Sequence, residues 1–83
     1  MKMTINLEGV WNYVKQSVDL ELDTAKFYKK TLHDPDGAAD WRARAYTKAT
    51  IFREVLDRLT PTSDEDVEVL NKAYDWTFKI TRG

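Results

Sequence analysis

The chain has 83 residues, 42% of them apolar and 33% charged, and thirteen basic against fourteen acidic side chains give a formal net charge of -1. That composition is ordinary for a globular protein and argues against disorder, while the near-neutral balance gives no support to wholesale binding of nucleic acid or an anionic membrane. There is no cysteine, which excludes a disulfide framework, thiolate chemistry and a cysteine-based zinc cluster.

One domain is expected over residues 1–83, near the lower end of what folds without disulfides or metals. Three Trp, four Tyr and three Phe supply much of the available burial. The N-terminal MKMTINLEGVW has no apolar run suited to a signal peptide, and no segment is long and apolar enough to span a bilayer. A cytoplasmic location is the default expectation.

The first element is a long helix from Leu7 to Leu32, 26 residues or roughly 40 Å. Its main stripe is Leu7, Val10, Trp11, Val14, Val18, Leu22, Ala25, Tyr28 and Leu32, at i, i+3, i+4 and i+7 steps. A second stripe, Tyr13, Leu20 and Phe27, repeats every seven residues on nearly the opposite side. Joined through Ser17, Thr24 and Thr31, the two stripes cover roughly 220° of the circumference. Only the face bearing Lys15, Asp19, Asp23, Lys26 and Lys30 is plainly made for water. A helix this broadly apolar is either the centre of its own bundle or half of an interface.

His33-Asp34-Pro35-Asp36-Gly37 ends this helix in a turn. Helix two is predicted from Ala38 to Leu59, with a narrower stripe of Trp41, Ala45, Ala49, Phe52, Val55, Leu56 and Leu59. Alanines at 38, 45 and 49 would admit another helix closely. Thr60-Pro61-Thr62-Ser63-Asp64 is the second break, with Ser63 a good N-cap and Asp66 three residues on. Helix three follows from Asp64, with acidic residues in its first turn, where the helix dipole favours them. Its apolar positions are Val67, Leu70, Ala73, Tyr74, Thr77 and Ile80, and Val69 and Trp76 widen the face. The spacing predicts an all-α three-helix bundle in an up-down-up arrangement. The alternation of Met1, Met3, Ile5 and Leu7, and of Trp76, Phe78 and Ile80, offers a short terminal β-ribbon as the alternative.

Few residues suggest chemistry. His33 stands beside Asp34 and Asp36, where a base is conceivable, but a role at the C-terminal end of helix one, against its last carbonyls, is the plainer expectation. Asp34-Pro35-Asp36-Gly37 fails as a calcium loop, because the glycine falls at the fourth place and Ala45 at the twelfth. Glu21 points between Val14 and Tyr28, within the apolar face, and needs a cation from Arg42, Arg44, Lys48 or Arg53. Arg42, Tyr46 and Arg53 share a flank of helix two suited to phosphates and a base, although Asp40, Glu54 and Asp57 interrupt it. No P-loop, dinucleotide fingerprint, nucleophile elbow or zinc spacing occurs.

The expectation is a small non-enzymatic protein with no cofactor or metal, working through protein–protein contact as a homodimer. Regulatory, inhibitory or assembly roles fit, including that of a phage or mobile-element accessory protein. The candidate interface is Tyr13, Leu20, Phe27, Val69 and Trp76, since aromatic residues commonly anchor interfaces. The alternative is a nucleic-acid-binding helical module using Arg42, Tyr46 and Arg53.

Overall fold

A computed structural model describes residues 6–82 and contains three helices: α1 (Leu7–Lys30), α2 (Pro35–Asp57) and α3 (Asp64–Arg82). The fold is the all-α three-helix bundle that the spacing predicts. The strand reading of Trp76, Phe78 and Ile80 is corrected, because helical hydrogen bonding carries α3 through to Arg82. The other half of that ribbon, Met1 to Ile5, lies outside the described residues.

The helix ends show why the segments begin and stop where they do. Asn6 caps α1, its side-chain oxygen accepting from the Gly9 amide at 3.1 Å. At the other end His33 takes a left-handed backbone, φ 52°, a conformation uncommon outside glycine but several-fold enriched in histidine. The Asp34 amide then reaches back to the Tyr28 carbonyl at 2.9 Å. This closes α1 two residues before the expected Leu32 and places His33 outside the helix, exposed, as a bend rather than a last-turn residue.

α2 begins three residues earlier than predicted. Asp34 is its N-cap, accepting from the Gly37 amide at 2.9 Å, and Pro35 opens the first turn, where its missing N–H costs nothing. Gly37 is required by close approach, since a Cβ there would lie 2.7 Å from the Tyr28 ring and would also collide with the Asp34 carboxylate. The helix stops at Asp57 rather than Leu59, and Leu59 still turns into the core. α3 is capped as expected: the Ser63 hydroxyl accepts from the Asp66 amide at 3.1 Å. The Asp66 carboxylate in turn accepts from the Thr62 amide at 3.1 Å and the Thr62 hydroxyl at 2.8 Å.

The α1–α2 hairpin is the most extensive interface, followed by α2–α3, with α1–α3 much smaller. Ala38, Ala45 and Ala49 are fully buried, which is how the two long helices approach closely. Larger side chains fill one end, where Leu7, Phe52, Leu56, Leu59 and Ala73 form the core cluster. There α3 runs antiparallel to α2. The Tyr74 hydroxyl donates to Asp57, and one turn further on Arg53 donates from Nε to the Thr77 hydroxyl at 3.1 Å. Its Nη2 donates to the Thr77 carbonyl at 3.1 Å and the Thr81 hydroxyl at 2.7 Å. Since α3 ends soon after, it covers only half of the hairpin, and the molecule is a rod of 48 × 17 × 15 Å. No helix among the described residues is long and apolar enough to cross a membrane.

Candidate functional site

Of the five candidate interface residues, Tyr13, Leu20 and Phe27 are exposed to 76%, 68% and 51%. They are therefore not internal core between α2 and α3. At seven-residue spacing they form one line along α1, drifting only about 20° per step. Val69 and Trp76 lie elsewhere. Both are half-buried against the core cluster, and the Trp76 ring meets Phe52 edge-on at 6.3 Å.

The line on α1 is joined by residues of α2 that the sequence reading did not put there. Ile51 is 56% exposed, and Val55, expected in the core stripe, is 38% exposed. Together with Val10, Tyr13, Val14, Ser17, Lys48 and the edge of Phe52 they line an open cleft of about 450 Å³ between the two helices. Val55 and Arg53 are separated by roughly 160° around α2, and Arg53 grips α3. The cleft and the aromatic line thus share the broad face turned away from α3. Ile51 was recoverable from its sequence position, since it falls outside the Ala45, Ala49, Phe52, Leu56 stripe and four residues before Val55.

A polar cluster interrupts this face at its middle. Lys48 Nζ lies 2.6 Å from Glu21 Oε1 and donates to the Ser17 hydroxyl at 2.6 Å. Glu21 is buried, and its second oxygen, Oε2, has no hydrogen-bond partner. The cation expected for Glu21 is therefore Lys48. The Ser17–Lys48 distance would suit a nucleophile and its base. An ammonium that already holds a carboxylate, however, has no lone pair with which to take the serine proton. Structural neutralisation of Glu21 explains all three groups.

The nucleic-acid trio is divided by the fold. The Arg53 guanidinium is spent on Thr77, Thr81 and the Phe78 ring, 4.1 Å from its centre. Arg42 instead joins Lys26, Lys29 and Lys30 around a cleft of about 290 Å³ floored by Leu22 and Ala25, beyond the end of α3. Tyr46 is half-buried between these two places. Near the turn, His33 is exposed while Asp34 is committed to capping α2, so no acid–base pair is assembled there. Among the described residues no group of three or more His, Asp or Glu side chains is arranged to hold a metal ion.

Fold and face together define a class: a small all-α protein whose two long helices present an open apolar face. No protein family, characterised relative or solved structure matches the chain.

Proposed function

We propose that this chain is a non-enzymatic protein-interaction protein whose contact surface is the face opposite α3 and whose first partner is a second copy of itself. The observation that carries the reading is the exposure of Tyr13, Leu20, Phe27 and Ile51 on one side of the hairpin. With Val10 and Val55 these residues expose on the order of 600 Å², at the top of the range for the largest apolar patch on a monomer. The stems of Lys48 and Arg44 beside them bring the face near the ~800 Å² per partner of an ordinary stable interface. Lys48 suits such a surface because Glu21 already neutralises it, so covering it strands no unpaired charge. A regulatory, inhibitory or assembly role, as in a phage accessory protein, is what a surface without its own chemistry can serve.

Sedimentation tests this. The wild-type protein should be a dimer at micromolar concentration, and Leu20→Glu a monomer with unchanged helix content. A wild-type monomer at high concentration would refute the reading.

The second reading, nucleic-acid binding, rests on the basic cleft of Lys26, Lys29, Lys30 and Arg42 rather than on the original trio. Electrophoretic shifts of DNA and RNA that weaken steeply with salt, and that Arg42→Ala reduces, would favour it.

A further inference from the structure

We propose that the basic cleft beyond the end of α3 seats a short amphipathic helix of a partner protein, apolar along one stripe and acidic on both flanks. The proposal rests on the protein-interaction reading above but not on self-association. Its first support is that the cleft continues the seat α3 itself occupies. On α2, Arg53 marks the wall against α3 by donating to Thr77 and Thr81. Arg42 stands eleven residues earlier, about three turns away and within roughly 20° of the same direction. On α1, Trp11 marks the other wall, lining shallow clefts with Val69, Lys72 and Trp76 of α3. Leu22 stands eleven residues further on, again within roughly 20°. The groove that α3 fills at one end therefore runs on about 16 Å between the same two walls, with no helix of the described residues lying in it. A second helix fits there as α3 fits in the first half.

Charge complementarity decides which helix. The floor is apolar, with Leu22 half-buried and Ala25 buried, while Lys26, Lys29 and Lys30 rise from the α1 wall and Arg42 from the α2 wall. Lys79 and Arg82 occupy the last turn of α3, at the near end. Among the described residues none of the four lining cations is in an ion pair. Asp19 and Asp23 share the outer ridge of α1 with Lys26 and Lys30, but they neither line the cleft nor pair with those lysines. A helix laid on this floor would seat its apolar stripe on Leu22 and Ala25 and meet cations on both sides with carboxylates at its flanking positions. A nucleic acid fits less well. No aromatic ring lines the cleft for a base to stack on, and a phosphate backbone offers Leu22 no apolar contact.

The probe is a displayed library of helical peptides about four turns long, with the apolar stripe fixed and every flanking position randomised. Selection on the full chain should enrich Asp and Glu on both flanks. The double variant Lys26→Glu/Arg42→Glu, its helix content checked by circular dichroism, should shift the enrichment to Lys and Arg. The best peptide, labelled for fluorescence polarisation, should bind roughly tenfold more tightly than a scrambled isomer of equal charge, and Arg42→Ala should weaken it roughly tenfold. Leu20→Glu should bind that peptide as the wild type does, which places it off the self-association face. A selection without acidic preference, a scrambled isomer that binds equally well, or single-stranded DNA that outbinds the peptide and displaces it overturns the proposal. A wild-type monomer in sedimentation overturns self-association alone.

Discussion

Lys48 reaches from α2 across the hairpin to Glu21, 2.6 Å away, and Glu21 is the one charged side chain that the fold buries among the described residues. The two partners are unequally placed: the lysine side chain keeps 43% of its surface in water and the glutamate only 12%. Removing one is therefore not equivalent to removing the other. Lys48→Met leaves a buried carboxylate without a counter-charge and should cost about 2 kcal/mol, below the 3–5 kcal/mol of a fully buried pair because the site lies near solvent. Glu21→Gln lets the lysine swing out and should cost less than about 1 kcal/mol. Denaturant titration of both variants and their double mutant checks the asymmetry and the coupling.

Phe52 lies at the junction of the three helices, 4% exposed and edge-on to Trp76. Phe52→Ala should destabilise by about 3–5 kcal/mol. In a domain this small that amount removes much of the folded population, so loss of the helical signal at lower urea is the readout. A loss below about 1 kcal/mol would contradict the packing described.

Arg53 is the principal polar tie between α2 and α3, with three hydrogen bonds and a stacked ring. Lysine cannot reproduce that planar fork. Arg53→Lys should cost about 2 kcal/mol, and amide exchange should show α3 opening before α1 or α2.

Two ionisable groups set limits at opposite ends of the pH scale. The Tyr74 hydroxyl is pushed up to about 12 by burial, reinforced by its hydrogen bond to Asp57 and by that carboxylate's charge. Between the ordinary tyrosine value near 10 and about 12, the unfolded chain releases this proton while the folded chain keeps it. Stability is then full below pH 10 and falls as pH rises toward 12. Spectrophotometric titration should show a tyrosine component near pH 12, and Tyr74→Phe should remove it. Asp66 is held below its ordinary 3.8 chiefly by the Thr62 hydroxyl and the Thr62 amide, with a lesser contribution from the Ser63 side chain, and burial opposes them. Its contribution is present above that value and is lost as pH falls through the lowered one. Ser63→Ala, which removes the cap of α3, should cost about 1 kcal/mol at neutral pH.

Gly37 makes a prediction against helix propensity. Alanine is normally worth about 1 kcal/mol over glycine inside a helix. Here its Cβ would sit 2.7 Å from Tyr28, and that ring is already packed against Phe27 and Trp41 with centroids 6.3 and 6.1 Å away. Gly37→Ala should therefore lower the melting temperature, where a mid-helix glycine facing solvent would raise it.

How much of this was legible from the sequence depends on the kind of signal. Long periodic stripes gave all three helices, and the Ser63 cap placed the start of α3 to the residue. The start of α2 is obscured in the sequence because Pro35 and Gly37 both signal a break. Asp-Pro is equally an N-cap followed by a first-turn proline, and only packing on Tyr28 decides between the two. Glu21 declared its need for a cation through its position on an apolar face. Which of four candidates answered depended on the vertical offset of α2 against α1, a quantity no single helix encodes. For the same reason Arg53 read as a free basic residue: its partners, Thr77 and Thr81, look like ordinary helix surface until α3 is docked. The width of the α1 stripe was visible, but its division into core and open face follows from α3 being placed on one side only.

The short reach of α3 gives the rod one thick half and one thin half. At the thick end, three helices share Phe52, Leu56, Leu59 and Leu7. At the thin end, α1 and α2 are held by an alanine seam and the Tyr28–Trp41 contact, with Leu32 half in water. Burial per residue falls along the axis, and so should the free energy of local opening. Backbone amides near residues 25–42 should accordingly exchange their hydrogens long before those near residues 52–59.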